Sequence, residues 1–310
     1  MRLVRDPHPP FDPGPETALA IGNFDGLHRG HQALIRSVRL RSDGLVPALM
    51  CFEPLPATFF RPHQPVPRIL GVRDKLELFR TLGIERVFMM RFNRAFSSLG
   101  PEEFVDQLIV ANARARHIVI GADFRFGARA VGDAERLETL GRSRGISVEV
   151  VEDVGDEAGR VSSSRIREAL AGGRLDIARR LLGRDYALSG RVLRGQQLGR
   201  RLGFPTVNLR PPEPPALSGI LAVRVSGGGL MGQPGVASLG RRPTVNGQTD
   251  LIEVHLFDYD GDLYGAHLTV EFHAFLRSEA KFDDLGAMTR QMHEDARQAR
   301  AALGLKNPEP

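Results

Sequence analysis

The stretch ALAIGNFDGLHRGHQALIRSVRL, residues 18–40, indicates how the first half of the chain folds. It opens with a short apolar run, turns through glycines and continues with apolar residues at helical spacing, which is typical of a buried strand followed by a helix. The alternation then continues: the other predicted strands are LVPALMCF, RVFMMRF, HIVIG and ISVEVV, and the other predicted helices are RDKLELFRTL, PEEFVDQLIV, DAERLETLGR, SSRIREAL and DIARRLL. Strands and helices in alternation predict a parallel sheet with right-handed crossovers.

The turn GNFDGLHRGH, residues 22–31, predicts a phosphate site. Glycines let the backbone approach an anion closely, and the start of the following helix presents free N–H groups to it. His28 and His31 are three residues apart and so share a face of that helix. The alternative is a capped turn with two surface histidines. The position at the carboxyl edge of a parallel sheet, where ligands bind, favours the phosphate site.

Two later segments are predicted to reach the same region. GADFRFG, residues 121–127, follows a predicted strand and offers Asp123 and Arg125. SSSRIR, residues 162–167, opens a helix with hydroxyl groups and two arginines, which suit phosphates. The alternative for SSSRIR is an ordinary helix cap with solvated charges.

The pattern of apolar and polar residues changes in the second half of the chain, after Gly183. Its strand-like segments are GRVLRG, FPTVNLR, ILAVRVS, GVASLG, LIEVHLFDYDG and HLTVEFHAFLR, with turn residues between them and no helices. This pattern predicts an antiparallel barrel or sandwich, closed by an amphipathic helix over about residues 282–303. The domain boundary is expected near residues 183–187.

The β-rich half carries its own candidate chemistry. In GRVLRGQQLGRRLGFPTVNL, residues 190–209, a glycine-spaced basic loop precedes Thr206 and Asn208, whose oxygens suit Mg²⁺. The alternative is a hairpin loop with solvated arginines. In LIEVHLF the strand period separates Glu253 from the apolar positions on either side of it, so Glu253 is either a general base or a solvent-facing residue.

Composition limits the class of protein. The chain has 310 residues, of which 42% are hydrophobic. Its one cysteine, Cys51, lies within an apolar run, so this side chain is expected to be buried as a small hydrophobic residue. No signal peptide and no apolar stretch of membrane-spanning length is visible, which predicts a soluble, cytoplasmic protein without a membrane partner. The net charge of +5 suits polyphosphate substrates, and the lack of tryptophan argues against a nucleic-acid partner.

The three phosphate-type segments together resemble the FAD synthetase (FMN adenylyltransferase) module of bacterial bifunctional riboflavin kinase/FAD synthetases. FEPLPATFFRP, RDKLELFRTLGI and LAGGRLDIARRLLGR add to this resemblance. It implies an α/β nucleotidylyltransferase-like (Rossmann-like) domain over residues 1–185, in which His28 and His31 hold the reacting phosphates of ATP. The further nucleotide contacts that it implies are Gly22, Asn23, Phe24, Gly30, Asp123, Arg125, Ser163, Ser164, Arg165 and Arg167.

The second half resembles the riboflavin kinase domain of the same family through GRRLGFPTVN, GVASLGRRPTVNG, IEVHLFDYDGDLYG and FLRSEAKFDDLGAMTRQMHED. The resemblance implies an antiparallel β-barrel with a terminal helix over residues 186–310. Thr206 and Asn208 would bind Mg²⁺ with ATP, Glu253 would be the base, and Gly195, Gly203 and Arg277 would lie in the ligand site. The sequence departs from the family at Leu55, where histidine is usual, at Ser164, where threonine is frequent, and at Leu221, where an aromatic is usual.

The resemblance therefore implies two reactions. The kinase half would convert riboflavin and ATP into FMN, and the synthetase half would join FMN to the adenylyl group of ATP, giving FAD and pyrophosphate. Riboflavin, FMN, FAD and ATP are the expected partners, and the sequence leaves a homo-oligomer open. The rival interpretations are a chain with one active module, a flavin-binding regulator without turnover, and a nucleic-acid-binding module.

Overall fold

The computed structural model describes residues 1–7, 12, 14–194, 203–211, 213–244 and 247–306. By its packing the chain divides into two compact units. The first consists of Met1–Val66 and Lys75–Ser162, and the second consists of Pro67–Asp74 and Ser163–Pro310. Among the described residues, no helix combines the length and the apolar character needed to cross a membrane.

A six-stranded parallel sheet forms the centre of the first unit. Its strands are β1 (Arg2–Arg5), β2 (Thr17–Ile21), β3 (Val46–Glu53), β4 (Arg86–Arg91), β5 (Ala115–Gly121) and β6 (Ser147–Val151). They lie side by side in the order β1-β4-β3-β2-β5-β6, and every pair is parallel. The chain thus builds one side of the sheet outward from β2 and then returns to add β5 and β6 on the other side.

Helices cover this sheet. They are α1 (Arg29–Leu40), α2 (Pro56–Phe60), α3 (Val72–Thr81, whose first three residues belong to the second unit), α4 (Arg94–Ser97), α5 (Pro101–Glu103) and α6 (Ala134–Arg142). Helix α1 buries Leu34, Ile35 and Val38, because residues spaced by three and four positions lie on one face. A short antiparallel pair, β7 (Gly155–Asp156) and β8 (Gly159–Arg160), follows β6.

The strand order fixes where a ligand can bind in the first unit. β2 pairs with β3 on one side and with β5 on the other. After β2 the chain continues to β3 on one side of the sheet, and it later returns to β5 on the other side. The strand order therefore reverses between β2 and β5, and a crevice is expected at the carboxyl ends of these two strands. The turns after Ile21 and after Gly121 both leave from this point. The predicted parallel α/β fold is confirmed, and so is the predicted burial of Cys51, which is fully buried in β3.

The second unit contains a closed antiparallel barrel, which confirms the predicted class of its β-rich half. Its strands are β9 (Tyr186–Leu193), β10 (Val207–Leu209), β11 (Gly219–Gly227), β12 (Leu230–Thr244), β13 (Gly247–Leu256) and β14 (His267–Arg277). They close in the order β10-β13-β12-β11-β14-β9. The terminal helix α9 (Leu285–Ala302) packs on the outside of β11, β12 and β14.

Strand alternation sorts the barrel residues into an inner and an outer set. In β13 the side chains of Ile252, Val254 and Leu256 are buried, whereas Glu253 and His255 between them are partly exposed. This confirms the alternation read from LIEVHLF. The inner set fills the barrel with apolar side chains, so the polar chemistry of this unit lies on its outer face.

Two helices pack differently from the sequence expectation. The pattern predicts that α7 (Ser163–Ala171) and α8 (Leu175–Leu182) close the first domain, whereas their packing places them in the second unit. Helix α8 contacts β9 and β14. The Cα of Gly173 lies so close to the ring of Phe275 that a Cβ would be 2.7 Å from it. The proposed catalytic domains, residues 1–185 and 186–310, remain predictions.

Two further features are absent from the sequence expectation. Strand β1 extends the sheet at the edge beside β4, although the sequence pattern predicts no strand before residue 17. The segment Phe104–Asn112 continues α5 as a π-helix, with Ala113 N–H donating to the carbonyl of Leu108 at 3.0 Å. Apolar spacing does not separate a π-helix from an α-helix over nine residues.

A fragment of residues 184–310 is expected to fold alone, as the composition break near Gly183 suggests, but to be less stable than a fragment of residues 163–310. The shorter fragment lacks α8 and its buried Leu175, Leu181 and Leu182, so the surface of β9 and β14 that this helix contacts is exposed to water. We expect its Tm to be lower by roughly 10 °C, since each apolar side chain contributes about 1.5–3 kcal/mol. Thermal unfolding of both fragments measures this, and equal Tm values would contradict the assignment of α8 to this unit.

Candidate active sites

The turn between β2 and α1 holds its shape through left-handed backbone. Phe24, Gly26 and Leu27 have φ values of 51°, 81° and 47°. Phe24 and Leu27 are non-glycine residues in a costly conformation, and both are buried, so packing compensates for the strain. The side-chain Nε2 of Gln32 donates to the carbonyl of Leu27 at 2.9 Å, which ties the turn to the helix that follows it.

His28 and His31 come together as the motif predicts. His28 is the N-cap of α1, and its Nδ1 accepts the backbone N–H of His31 at 3.3 Å. The two imidazoles stack with their centroids 3.7 Å apart. A Cβ on Gly30 would lie 3.2 Å from the His28 ring, so glycine at this position leaves room for the stacked pair. Gly22 and Asn23 begin this turn and Phe24 packs against His31 at 5.2 Å.

The surroundings of His31 set its charge. Burial lowers the pKa of His31 well below its usual value, and the positive charges of His28, Lys75 and Arg160 lower it further. The Nδ1 atom of His31 is buried without a hydrogen-bond partner. His31 is therefore a neutral imidazole at pH 7, able to form hydrogen bonds with a phosphate but not to neutralise its charge.

The turn after β5 brings a second charged group to this region. Asp123 forms a 2.6 Å ion pair with Arg160, which also binds Asp153 at 3.0 Å. The hydrogen bond from Arg160 lowers the pKa of Asp123. Arg125 is exposed on the same turn. Arg160 is a residue that the sequence pattern does not single out, because it lies outside both glycine-rich turns.

A row of aromatic rings was also missed from the sequence. The phenylalanine row is a chain of rings whose neighbouring centroids are 5.2 to 6.3 Å apart, and it consists of Phe60, Phe59, Phe92, Phe52, Phe96, Phe104, Phe126 and Phe124. Phe60 at one end is 65% exposed. Phe124 at the other end belongs to the turn that carries Asp123. Phe52, Phe104 and Phe126 of this row are buried in the core of the first unit, so it is the ends of the row that are open to solvent.

The serine–arginine segment lies in the second unit, at the start of α7. Ser163 and Ser164 open the helix, where free backbone N–H groups suit an anion. Arg165 is partly exposed beside them. The Nε of Arg167 donates to the carbonyl of Pro67 at 2.8 Å, so this side chain also fastens its own unit.

The barrel places three polar residues in one row on its outer face. Asn208 of β10 is the direct cross-strand partner of Glu253 in β13, and Glu253 is in turn the partner of Ser238 in β12. Directly paired residues of antiparallel strands project to the same face, with Cβ atoms about 4.5–5.5 Å apart. The residues proposed as a metal ligand and as a base are therefore neighbours, although they are separated by 45 positions in the sequence.

The segment before β10 is fixed by its neighbours. The Nδ1–H of His255 donates to the carbonyl of Pro205 at 2.9 Å, and burial lowers the pKa of His255, which keeps the ring neutral against the opposing effect of this hydrogen bond. The ring of Phe204 packs edge-on against His255 and His293, with centroids 5.0 and 4.8 Å away. These contacts hold Thr206 next to the row of Asn208 and Glu253.

The donor set on this face fits a hard cation. The hydroxyl of Thr206 and the amide oxygen of Asn208 are ligands of the kind that Mg²⁺ accepts when phosphates supply the rest, and Glu253 is the cross-strand neighbour of Asn208. In the described part of the chain no group of three or more His, Cys, Asp or Glu residues is arranged to hold a metal ion. A cation here would therefore depend on a ligand such as a nucleotide for part of its shell.

The other residues singled out from the sequence lie outside the row of Asn208 and Glu253. Arg277 forms a bidentate ion pair with Asp295 of α9, at 2.8 and 2.6 Å, so its guanidinium fastens the helix to β14. Gly203 is exposed with φ of 81°, a turn conformation that favours glycine. Gly195 lies outside the described residues. Leu55 and Leu221, the two departures from the family pattern, are both buried among apolar neighbours.

A phosphate-type turn at the switch point of a parallel sheet, followed by a barrel with an oxygen-rich outer face, defines a two-part enzyme of the nucleotide-dependent transferase class. The chain belongs to the bifunctional riboflavin kinase/FMN adenylyltransferase family. The family model described as FAD synthetase matches residues 13–165, and the one described as riboflavin kinase matches residues 182–303.

Individual relatives agree over nearly the whole length. The bifunctional riboflavin kinase/FMN adenylyltransferase of Escherichia coli K12 is 38% identical and covers 99% of this chain and 100% of its own. The protein of the same name from Pseudomonas fluorescens is 41% identical and covers 97% of each chain. A crystal structure described as a macrolide-efflux protein from Streptococcus pneumoniae matches with a TM-score of 0.79 at 29% identity, over 94% of this chain and 97% of that one.

Asp295→Asn is expected to destabilise the second unit by about 3 kcal/mol, because it leaves the Arg277 charge without the carboxylate that it pairs with in a largely buried position. Chemical denaturation of the full chain measures the change. Glu294→Gln is the matched control, since Glu294 is the neighbouring residue and its ion pair with Arg297 is solvent-exposed. Equal stability of the two variants would contradict the structural role of the Arg277–Asp295 pair.

Proposed function

We propose that the first unit carries out adenylyl transfer to FMN and that the barrel carries out phosphorylation of riboflavin. The observation that supports this division is the separate clustering of two kinds of chemistry. Phosphate-type turns with His28 and His31 leave the switch point of the parallel sheet, and the Asn208–Glu253 pair lies on the outer face of the barrel. The domains would run over residues 1–185 and 186–310.

In the adenylyl step an oxygen of the FMN phosphate attacks the α-phosphorus of ATP, and the bond to the bridging oxygen breaks with its electron pair leaving on pyrophosphate. The proposed role of the histidine pair is to donate hydrogen bonds to the phosphates as charge builds on the leaving group. Gly22, Asn23, Phe24 and Gly30 shape the turn. Asp123, Arg125, Ser163, Ser164, Arg165 and Arg167 are the other proposed nucleotide contacts.

The phenylalanine row supports FMN as the acceptor in the first unit. Its exposed end at Phe60 and its other end at Phe124 lie on elements that leave the carboxyl ends of the strands. An isoalloxazine ring is flat, aromatic and largely apolar on its faces, so it gains by stacking on such rings. The aromatic rings and the proposed phosphate site therefore belong to the same unit.

In the kinase step Glu253 is the proposed base. Its carboxylate would accept the proton of the riboflavin 5′-hydroxyl as that oxygen attacks the γ-phosphorus of ATP. The bond from the γ-phosphorus to the bridging oxygen breaks at the same time, and its electron pair leaves on ADP. Thr206 and Asn208 would hold Mg²⁺, which neutralises phosphate charge when it is bound. Gly195 and Gly203 would contribute to the phosphate-binding loop, and Arg277 would act from the end of β14. A cytoplasmic location and a homo-oligomer remain predictions from the sequence.

His28→Ala and His31→Ala are each expected to lower the rate of FAD formation from FMN by roughly 100-fold or more while leaving FMN formation from riboflavin intact. The reason is that both imidazoles belong to the phosphate turn of the first unit. Chromatographic assay of FMN and FAD with each substrate measures both steps. His63→Ala, an exposed histidine of the same unit, is the control. Equal loss of both activities in a folded variant would argue against two separate sites.

Glu253→Gln is expected to slow FMN formation by roughly 10²- to 10⁴-fold while FAD formation from supplied FMN stays unchanged. Glutamine keeps the size of the side chain but does not accept a proton at neutral pH. The measurement is the initial rate at saturating riboflavin and ATP, and substrate affinity should change little. Glu271→Gln serves as the matched control, because Glu271 is a partly exposed glutamate on another strand of the barrel, β14. A rate within a few-fold of wild type would return Glu253 to a solvent-facing role.

A further inference from the structure

Helix α3 carries a buried lysine that the proposed mechanism has not used. Lys75 is 1% exposed, and its Nζ is buried without a hydrogen-bond partner. A carboxylate oxygen of Glu53 lies 3.6 Å away, which is an ion-pair distance but too long for a hydrogen bond. An ammonium group has three N–H donors, and an enclosed group of this kind normally has partners for them.

The position of Lys75 follows from the packing of α3. Lys75 and Phe79 are one helical turn apart and are the two buried residues of this helix. The ring of Phe79 meets the ring of Phe24 edge-on with centroids 5.5 Å apart. The buried face of α3 therefore packs against the phosphate turn itself. Glu53 ends β3, so the Lys75 ammonium lies at the carboxyl edge of the sheet.

The charge of Lys75 also reaches the histidine pair. Its positive charge is one of the causes that lower the pKa of His31. His31 Nδ1 and Lys75 Nζ are both buried and both lack a hydrogen-bond partner. Two unsatisfied polar atoms beside one turn are a costly arrangement in a folded chain. An anion that enters the turn would remove that cost for both.

We propose that Lys75 is a further catalytic residue of adenylyl transfer, whose ammonium binds the phosphate chain of ATP and stabilises the charge of the departing pyrophosphate. This inference rests on the proposed adenylyl transfer in the first unit. Lys75 remains an ammonium throughout: the electron pair of the broken bond stays on pyrophosphate and no proton leaves Nζ. A neutral His31 orients the phosphates, and Lys75 supplies the full positive charge that this imidazole lacks.

The competing explanation is a purely structural ion pair between Lys75 and Glu53. The two explanations differ in what happens when both partners are removed together. If Lys75 only neutralises Glu53, the double variant Glu53→Gln/Lys75→Met should behave like Glu53→Gln alone, since methionine suits a buried site. If Lys75 binds phosphate, the double variant should be as defective as Lys75→Met.

The test compares wild type, Lys75→Met, Glu53→Gln and the double variant in the full chain. We expect Lys75→Met and the double variant to form FAD about 100-fold more slowly and to bind inorganic pyrophosphate at least about 10-fold more weakly by calorimetry. Thermal unfolding of the same samples reports whether the first unit is folded, and FMN formation reports whether the barrel is intact. Lys306→Met, an exposed lysine, is the control and should match wild type.

The inference is overturned if the double variant matches Glu53→Gln both in FAD formation and in pyrophosphate binding. Should Lys75→Met alone lose both activities through misfolding, the double variant decides, because it leaves no unpaired carboxylate. If the wild-type chain makes no FAD, the proposed adenylyl transfer fails by itself. The pyrophosphate titration still tests Lys75 in that case.

Discussion

All strands of the first sheet run in one direction, and this constraint governs the chemistry of the first unit. Parallel strands have their carboxyl ends at one edge, and the reversal of strand order beside β2 is the point where a ligand crevice is expected. The turn after β2 fills that edge with two buried residues in left-handed conformation, Phe24 and Leu27. Because packing holds this backbone, the stacked His28 and His31 are in place before any ligand arrives.

Burial beside this turn also determines which side chains carry positive charge there. Burial, together with the charges of Lys75 and Arg160, lowers the pKa of His31, so this imidazole contributes direction rather than charge. Positive charge is left to Lys75 and Arg160, and Arg160 is already shared between Asp123 and Asp153. The buried ammonium of Lys75 has no hydrogen-bond partner, which is unfavourable for folding.

In the barrel, antiparallel strand pairing decides where polar residues lie. Its interior is filled by one face of each strand, so reactive groups are confined to the outer face, where antiparallel register sets which residues meet. Asn208, Glu253 and Ser238 are neighbours for this reason alone. The side chains of Arg277 and Asp295 form an ion pair that attaches helix α9 to strand β14.

The sequence by itself determined the periodicities: a parallel α/β half, a β-rich half, the phosphate turn with His28 and His31, and the alternation that takes Glu253 off the apolar face. These follow from local spacing, which is written along the chain. Tertiary structure alone decided which distant residues meet. Asn208 lies beside Glu253, Arg160 reaches Asp123, α8 packs on the barrel strands, and Lys75 is enclosed beside the phosphate turn. The physical reason is that strand order, register and burial arise from contacts between segments far apart in sequence. The local sequence around a lysine on a helix does not show which face of that helix will be buried.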